Sequence, residues 1–168
     1  MPYLDEIEAA IPGLRAFARA LSRDREVADD LVQDTLEAAL ARQAQWRGDG
    51  PLRGWLCRIL LNRFRDGLRR RRPAPIAIVP DLPDLSAARK AEGRLALAEV
   101  HAAMGQLPED QRAALLLVAL EGMSLAEAAR AMGCAEGTLA SRLARARATL
   151  RQVTGREAAS PRQGKAGE

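Results

Sequence analysis

Aromatic side chains are scarce in this chain: two Trp, two Phe and one Tyr make up 3% of it. A surface that grips single-stranded bases along its length needs repeated stacking platforms, and few are available here. Histidine occurs once, at His101, with no nucleophile near it, so it starts no catalytic constellation. Cys57 and Cys134 are the only cysteines and lie far apart, which excludes a disulfide framework and a cysteine-rich zinc site. Both are expected to be reduced core thiols of a cytosolic protein. No stretch approaches the ~18 apolar residues of a membrane span, and the N-terminus lacks a basic-then-apolar signal pattern. There is no phosphate-binding glycine loop. Strand signals are nearly absent too, since Ile76 to Val79 is short and fenced by Pro75 and Pro80. These absences predict an all-α, non-enzymatic chain that is soluble and intracellular and needs neither cofactor nor metal.

What is present is alanine, leucine and segregated charge. Hydrophobic residues make up 48% of 168 positions, and Ala and Leu supply most of them. Such a composition builds helix-on-helix cores. Net charge is +4 and the pI about 9.8, a modest excess, so placement decides its meaning. Arginines cluster at Arg69 to Arg72 and again from Arg142 to Arg156. Acids concentrate at Asp5, Glu6 and Glu8 and from Asp24 to Glu37. One surface is thus suited to nucleic acid and another to a basic or apolar protein surface.

Helical periodicity divides the chain into two small domains. The first module covers 1–72. Leu4, Ile7 and Ile11 form a short stripe, which Pro12 and Gly13 are expected to interrupt before Leu14, Phe17, Ala18 and Leu21 resume it. Glu26 to Arg42 reads as the next helix. Leu31, Val32, Thr35, Leu36, Ala39 and Leu40 fall on one side of it, and Asp29, Asp30, Gln33, Asp34 and Glu37 on the other. After the turn Arg47 to Gly50, Pro51 suits a helix start. Leu52, Trp55, Leu56, Ile59, Leu60, Phe64 and Leu68 then give the cleanest amphipathic pattern in the chain, with Trp55 expected in the core. Its polar side holds Arg53, Arg58, Asn62, Arg63, Arg65 and Asp66. Residues 73–85, with Pro73, Pro75, Pro80 and Pro83, read as a proline-rich linker that lets the modules separate. The second module covers 86–153. Leu95, Val100, Met104 and Leu107 mark one helix, and Leu115 to Val118 the apolar centre of another, closed by Gly122. A tail at 154–168 has the composition of disorder.

Met123 to Arg151 carries the sharpest signal. Ser124 and Glu127 form a capping box that starts a helix at Leu125. Ala128, Ala129 and Met132 give it an apolar side, and Gly133 suits a left-handed end. Leu139, Leu143, Ala146 and Leu150 mark the buried stripe of a second helix. The succession of small Ala129, turn-forming Gly133 and apolar Leu139 suits the crossing of a helix-turn-helix. Its second helix carries Arg142, Arg145, Arg147 and Arg151, and arginine is well suited to guanine edges and phosphates. By itself the pattern also fits an ordinary helical hairpin with a solvated arginine face.

In this order, the acidic-faced helix, the long basic helix, the proline linker and the C-terminal helix-turn-helix resemble a bacterial RNA polymerase sigma factor of the extracytoplasmic-function (ECF) type. Ala28 to Thr35 looks like the polymerase-binding helix of region two. Leu52 to Leu56, continuing through Asn62 to Arg72, looks like the helix that engages the downstream promoter element. Leu107 to Arg112 and Gly137 to Leu143 look like the start and recognition helix of region four. The resemblance implies transcription initiation at chosen promoters, in a stress or envelope response. It implies core-polymerase binding through Asp29, Asp30, Leu31, Gln33 and Asp34. It implies downstream-element contacts by Trp46, Arg58, Asn62, Arg63, Arg65 and Arg69, with Trp46 stacking on a base. Upstream contacts fall to Thr138, Ser141, Arg142, Arg145, Arg147 and Arg151. Its implied partners are core RNA polymerase, promoter DNA and an anti-sigma factor. Its implied place is the bacterial cytoplasm, on the nucleoid in holoenzyme or held at the membrane by an anti-sigma factor, without membrane insertion of its own. Ala140 and Ala144 depart from the family, in which many members carry a basic and a bulky side chain there. The rival readings are a sigma-like decoy that sequesters an anti-sigma factor and a stand-alone helix-turn-helix regulator.

Overall fold

The computed structural model describes residues 2–48, 50–70 and 90–155, the side chains of 90–97 excepted. The proline linker, Arg71, Arg72 and the tail beyond Gly155 lie outside the described residues. Every regular element among those described is helical, as expected.

Helix α1 spans Pro2–Ser22 and runs without a break through Pro12. The interruption expected at Pro12 and Gly13 does not occur. Proline forfeits one backbone hydrogen bond, but Ile7, Leu14, Phe17 and Leu21 are buried on both sides of it, and their packing holds the helix straight through. Two residues turn the chain into α2, Arg25–Ala41. Arg23 takes φ 59°, and Asp24 caps α2 by accepting from the Val27 amide at 3.0 Å. Ala28, Leu31, Val32, Thr35, Ala38 and Ala39 face the core. Leu40, expected beside them, is half exposed because it lies off the edge of that stripe. A 3₁₀ turn, Gln43–Gln45, leads toward α3, Leu52–Arg70. The Tyr3 hydroxyl donates to the Ala39 carbonyl at 2.8 Å and ties α1 to the end of α2.

In the second module, α4 spans Lys90–Gly105, α5 Glu109–Ala119, α6 Leu125–Met132 and α7 Glu136–Thr154. Val100, expected on the buried stripe of α4, is exposed, while Ala103 and Met104 take the inner positions. Leu116 and Leu117 of α5 are buried, with Leu115 and Val118 at the margin of the core. Gly122 has φ 66° and turns the chain toward α6. Thr154, placed with the tail by composition, is the last residue of α7 and bonds back to the Leu150 carbonyl at 2.7 Å.

The two modules share one continuous core. Helix α1 packs on α5 and α3 on α6, so buried residues from Ile7 to Ala146 form a single cluster. The modules are therefore closed on each other in this structure. Arg112 of α5 reinforces the closure by donating to the carbonyl of Leu21 at 2.8 Å, and it also donates to the Leu107 carbonyl of its own module at 3.0 Å.

Candidate nucleic-acid interface

The helix-turn-helix forms where its local signals put it. Ser124 accepts from the Glu127 amide at 3.2 Å, and the Glu127 carboxylate accepts from the Ser124 amide at 2.8 Å. The Ser124 amide, and with it the Ser124 hydroxyl at 2.9 Å, donate to the carboxylate, favour its ionised form and hold its pKa below the ordinary value. Gly133 ends α6 in the left-handed region at φ 65°. Ala129 is buried against its neighbours, and Leu139, Leu143 and Ala146 seat α7 on the core. With that stripe fixed, Thr138, Ser141, Arg145 and Arg151 are exposed, and Arg142 and Arg147 are half-buried. Ala140 and Ala144 are exposed on the same helix, so its outer face is locally smooth beside the arginines.

Helix α3 presents a second basic surface. Its inner side buries Leu52, Leu56, Cys57, Ile59, Leu60, Leu61 and Phe64. The opposite side carries Arg58, Asn62, Arg63 and Arg69 exposed, with Arg65 half-buried. Asn62, Arg63, Arg65 and Arg69 share one cleft with Arg42 from the end of α2. Trp46 and Arg58 stand apart from that cleft, in a pocket of about 340 Å³. Trp55, assigned to the core by its spacing, is half exposed in that pocket, its ring 5.6 Å from that of Trp46 with the planes tilted by 42°. The amphipathic stripe is wider than the core it covers, and Trp55 sits on its margin.

The outer face of α2 is acidic. Asp29, Asp30, Gln33, Asp34 and Glu37 are all exposed, and Gln33 donates to Glu37 at 3.0 Å. Leu31, grouped with the docking residues by resemblance, is buried and supports this face from beneath.

The structure also brings together residues that sequence reasoning did not pair. Asp110 at the start of α5 lies between Arg65 and Arg142. Glu121, just after α5, is the one charged residue among the described residues that is buried; it pairs with Arg53 and accepts from the Cys57 thiol at 3.9 Å. Burial first, and then the Glu121 charge, push the Cys57 thiol pKa upward. Such partners are distant in the sequence, and no local spacing announces them. Among the described residues, no group of three or more His, Cys, Asp or Glu is placed to hold a metal ion, and no helix is long and apolar enough to cross a membrane.

A helix-turn-helix with a basic second helix, closed on a helical module with one acidic and one basic helix, defines a transcription factor of the sigma type. The comparisons with known proteins agree. The family described as Sigma-70, region 4 matches residues 97–150, and the Sigma2 domain of PhyR matches residues 7–61. The chain is 44% identical over 147 residues to the ECF RNA polymerase sigma factor EcfG of Rhodopseudomonas palustris, covering 87% of this chain and 81% of that one. It is 42% identical to the ECF RNA polymerase sigma factor SigM of Mycobacterium tuberculosis, covering 84% of this chain and 71% of the other. Among solved structures it resembles the sigma factor RpoE from Bartonella quintana in complex with the anti-sigma factor NepR. The TM-score is 0.77 and the identity 33%, over 94% of this chain and 99% of that one. CnrH in complex with the cytosolic domain of CnrY gives a TM-score of 0.68 at 31% identity, over 91% and 87% of the two chains. The chain belongs to the ECF RNA polymerase sigma factors.

Proposed function

We propose that this chain is a promoter-recognition subunit that docks on core RNA polymerase and does no chemistry of its own. The acidic face of α2, Asp29, Asp30, Gln33 and Asp34, meets the polymerase. The basic side of α3, Arg58, Asn62, Arg63, Arg65 and Arg69, holds the downstream promoter element while it opens. Trp46, beside Trp55 and Arg58, stacks on an exposed base there. Helix α7 lies in the major groove of the upstream element, with Thr138, Ser141, Arg142 and Arg145 toward bases and Arg147 and Arg151 toward phosphates. The observation that carries this reading is the sorting of charge by helix: an acidic α2 and a basic α3 and α7, each seated by its own buried stripe. Purified core polymerase with this chain should initiate at specific promoters. Absence of specific initiation would sink the reading.

An anti-sigma factor is the expected inhibitor, since the relative RpoE is in complex with the anti-sigma factor NepR, and CnrH with the cytosolic domain of CnrY. It should compete with core polymerase or with promoter DNA, and a co-purifying inhibitor that competes with neither would contradict this. Action in the bacterial cytoplasm, on the nucleoid in holoenzyme or at the membrane through an anti-sigma factor, follows from the same partners. Mapping RNA 5′ ends after overexpression would define the promoters and test the stress or envelope response. The decoy reading draws on one observation, the match of residues 7–61 to the Sigma2 domain of PhyR. The exposed arginines of α7 favour a DNA reader, and the initiation assay separates the two.

A further inference from the structure

Asp110 lies at the start of α5, at the seam between the modules. Its carboxylate accepts from Arg65 Nη2 of α3 at 3.1 Å and pairs with Arg142 Nη2 of α7 at 2.8 Å. Arg65 also donates through Nη1 to the Met132 carbonyl at the end of α6, at 3.3 Å, and its Nε stands 4.0 Å from Glu109. One carboxylate thus holds two guanidinium groups, one from each of the two basic helices. The Arg65 and Arg142 side chains keep only 23% and 25% of their exposure. A carboxylate offers a guanidinium the same kind of charge-assisted bond as a phosphate oxygen. For these two arginines, Asp110 and a DNA backbone are therefore competitors.

Two further features lie along the same seam. Arg53 of α3 pairs with Glu121, whose side chain is fully covered at the end of α5. The pocket that holds Trp46, Trp55 and Arg58 has its far wall built from Met123, Arg130 and Ala131 of the second module. The closed packing thus screens part of both candidate DNA surfaces at once.

We propose that Asp110 is an internal phosphate mimic: through Arg65 it latches the second module onto the first, and it withholds Arg65 from DNA until the modules part and Arg142 until DNA displaces the carboxylate. This rests on the reading of those arginines as DNA contacts. The latch is built to release. Its ion pairs are partly exposed, so salt screens them, and a polyanion or the polymerase competes for the same groups.

The test uses the full chain, Asp110→Asn, and Glu136→Gln as a control that removes one acidic charge from α7 without touching the seam. Trp46 and Trp55 are the only tryptophans of the chain, so acrylamide quenching reports directly on the pocket at the seam. Asp110→Asn should raise quenching. It should also tighten binding to a random-sequence duplex by about threefold relative to Glu136→Gln, the effect of freeing partly exposed ion pairs. In the unaltered chain quenching should climb with salt, and in Asp110→Asn that climb should flatten. The salt titration needs no variant, so it decides even if the substitution misfolds. Quenching that is insensitive to salt, or duplex affinity equal to that of the control, would overturn the latch. So would absence of duplex binding by all three chains. None of these measurements uses polymerase. Initiation assays on the same samples therefore report separately on the sigma reading.

Discussion

Arg142 and Arg145 stand three positions apart on α7, yet their surroundings differ. Arg145 is exposed, whereas Arg142 is half covered and bound to Asp110. If both read bases, a bidentate contact is worth about 1–3 kcal/mol of discrimination. Arg145→Ala and Arg142→Ala should then reduce initiation mainly at promoters with the preferred upstream element. Arg142→Ala should lose less in the free chain, because part of its binding energy is already spent on displacing Asp110. Arg151→Ala should weaken binding at every sequence and lower the log–log salt slope by about 0.9. A titration over randomised upstream elements at several salt concentrations checks all three. Equal losses at all sequences for Arg142→Ala and Arg145→Ala would mean that α7 grips the backbone and reads nothing. The exposed Ala140 and Ala144 beside these side chains predict a looser upstream preference than family members with larger residues there. The cysteines differ in the same residue-by-residue way. Cys57 is buried with its pKa raised, and Cys134 is half-buried. A thiol reagent at neutral pH should label Cys134 first and reach Cys57 only on unfolding, because the thiolate is the reacting form. Equal labelling rates in the folded chain would contradict the buried position of Cys57.

At the scale of elements, α6 shows how strongly local chemistry fixes a boundary. The left-handed φ of Gly133 meets no steric obstacle, since nothing lies within 4 Å of where a Cβ would stand. Gly133→Ala should therefore cost about 1–2 kcal/mol through backbone conformation alone, visible as a lower denaturation midpoint. Ser124→Ala should also destabilise α6, and its effect should depend on pH. The Ser124 amide first, and then its hydroxyl, which donates to the carboxylate at 2.9 Å, lower the Glu127 pKa in the folded state; the hydroxyl bond, which the substitution removes, contributes fully above the ordinary glutamate range and is lost as pH falls through the folded value. Unfolding curves at neutral and strongly acidic pH should show the difference between Ser124→Ala and the unaltered chain shrinking with acid. The capping box, the glycine and the Leu139–Leu143–Ala146 stripe were legible in the sequence because each is decided by residues within a turn or two. Pro12 was not. Its effect depends on whether Ile7 and Leu14 share one buried face, which only the packing of α1 on α2 and α5 determines. Trp55 and Val100 were misplaced for the same reason. Helical periodicity gives the direction of a stripe, while its width is set by the neighbouring helix.

Across the whole molecule, the acidic face of α2 and the seam are spatially separate. Asp29, Asp30, Gln33 and Asp34 remain exposed while the modules are closed. The sequence displayed that face openly, since charge on the back of an amphipathic helix has few places to go. It gave no sign of the seam, whose pairs Arg65–Asp110 and Arg53–Glu121 join distant segments. On the proposed reading, docking on polymerase should not require prior opening, and the two events should yield to different substitutions. Asp30→Lys with Asp34→Lys should weaken core-polymerase binding while leaving the fold intact, because surface changes usually cost within about 0.5 kcal/mol. Tryptophan quenching of that variant should match the unaltered chain, since Asp30 and Asp34 are exposed on the outer face of α2. Asp110→Asn should show the opposite pattern, with altered quenching and core binding that is retained or tightened. Pull-down of core enzyme and acrylamide quenching on the same four proteins, the double variant, Asp110→Asn, Glu136→Gln and the unaltered chain, make the comparison. Undiminished pull-down by the double variant would remove α2 from the polymerase interface. A loss of pull-down in Asp110→Asn would mean that the polymerase recognises the closed form, and that the seam is part of docking rather than a step released after it.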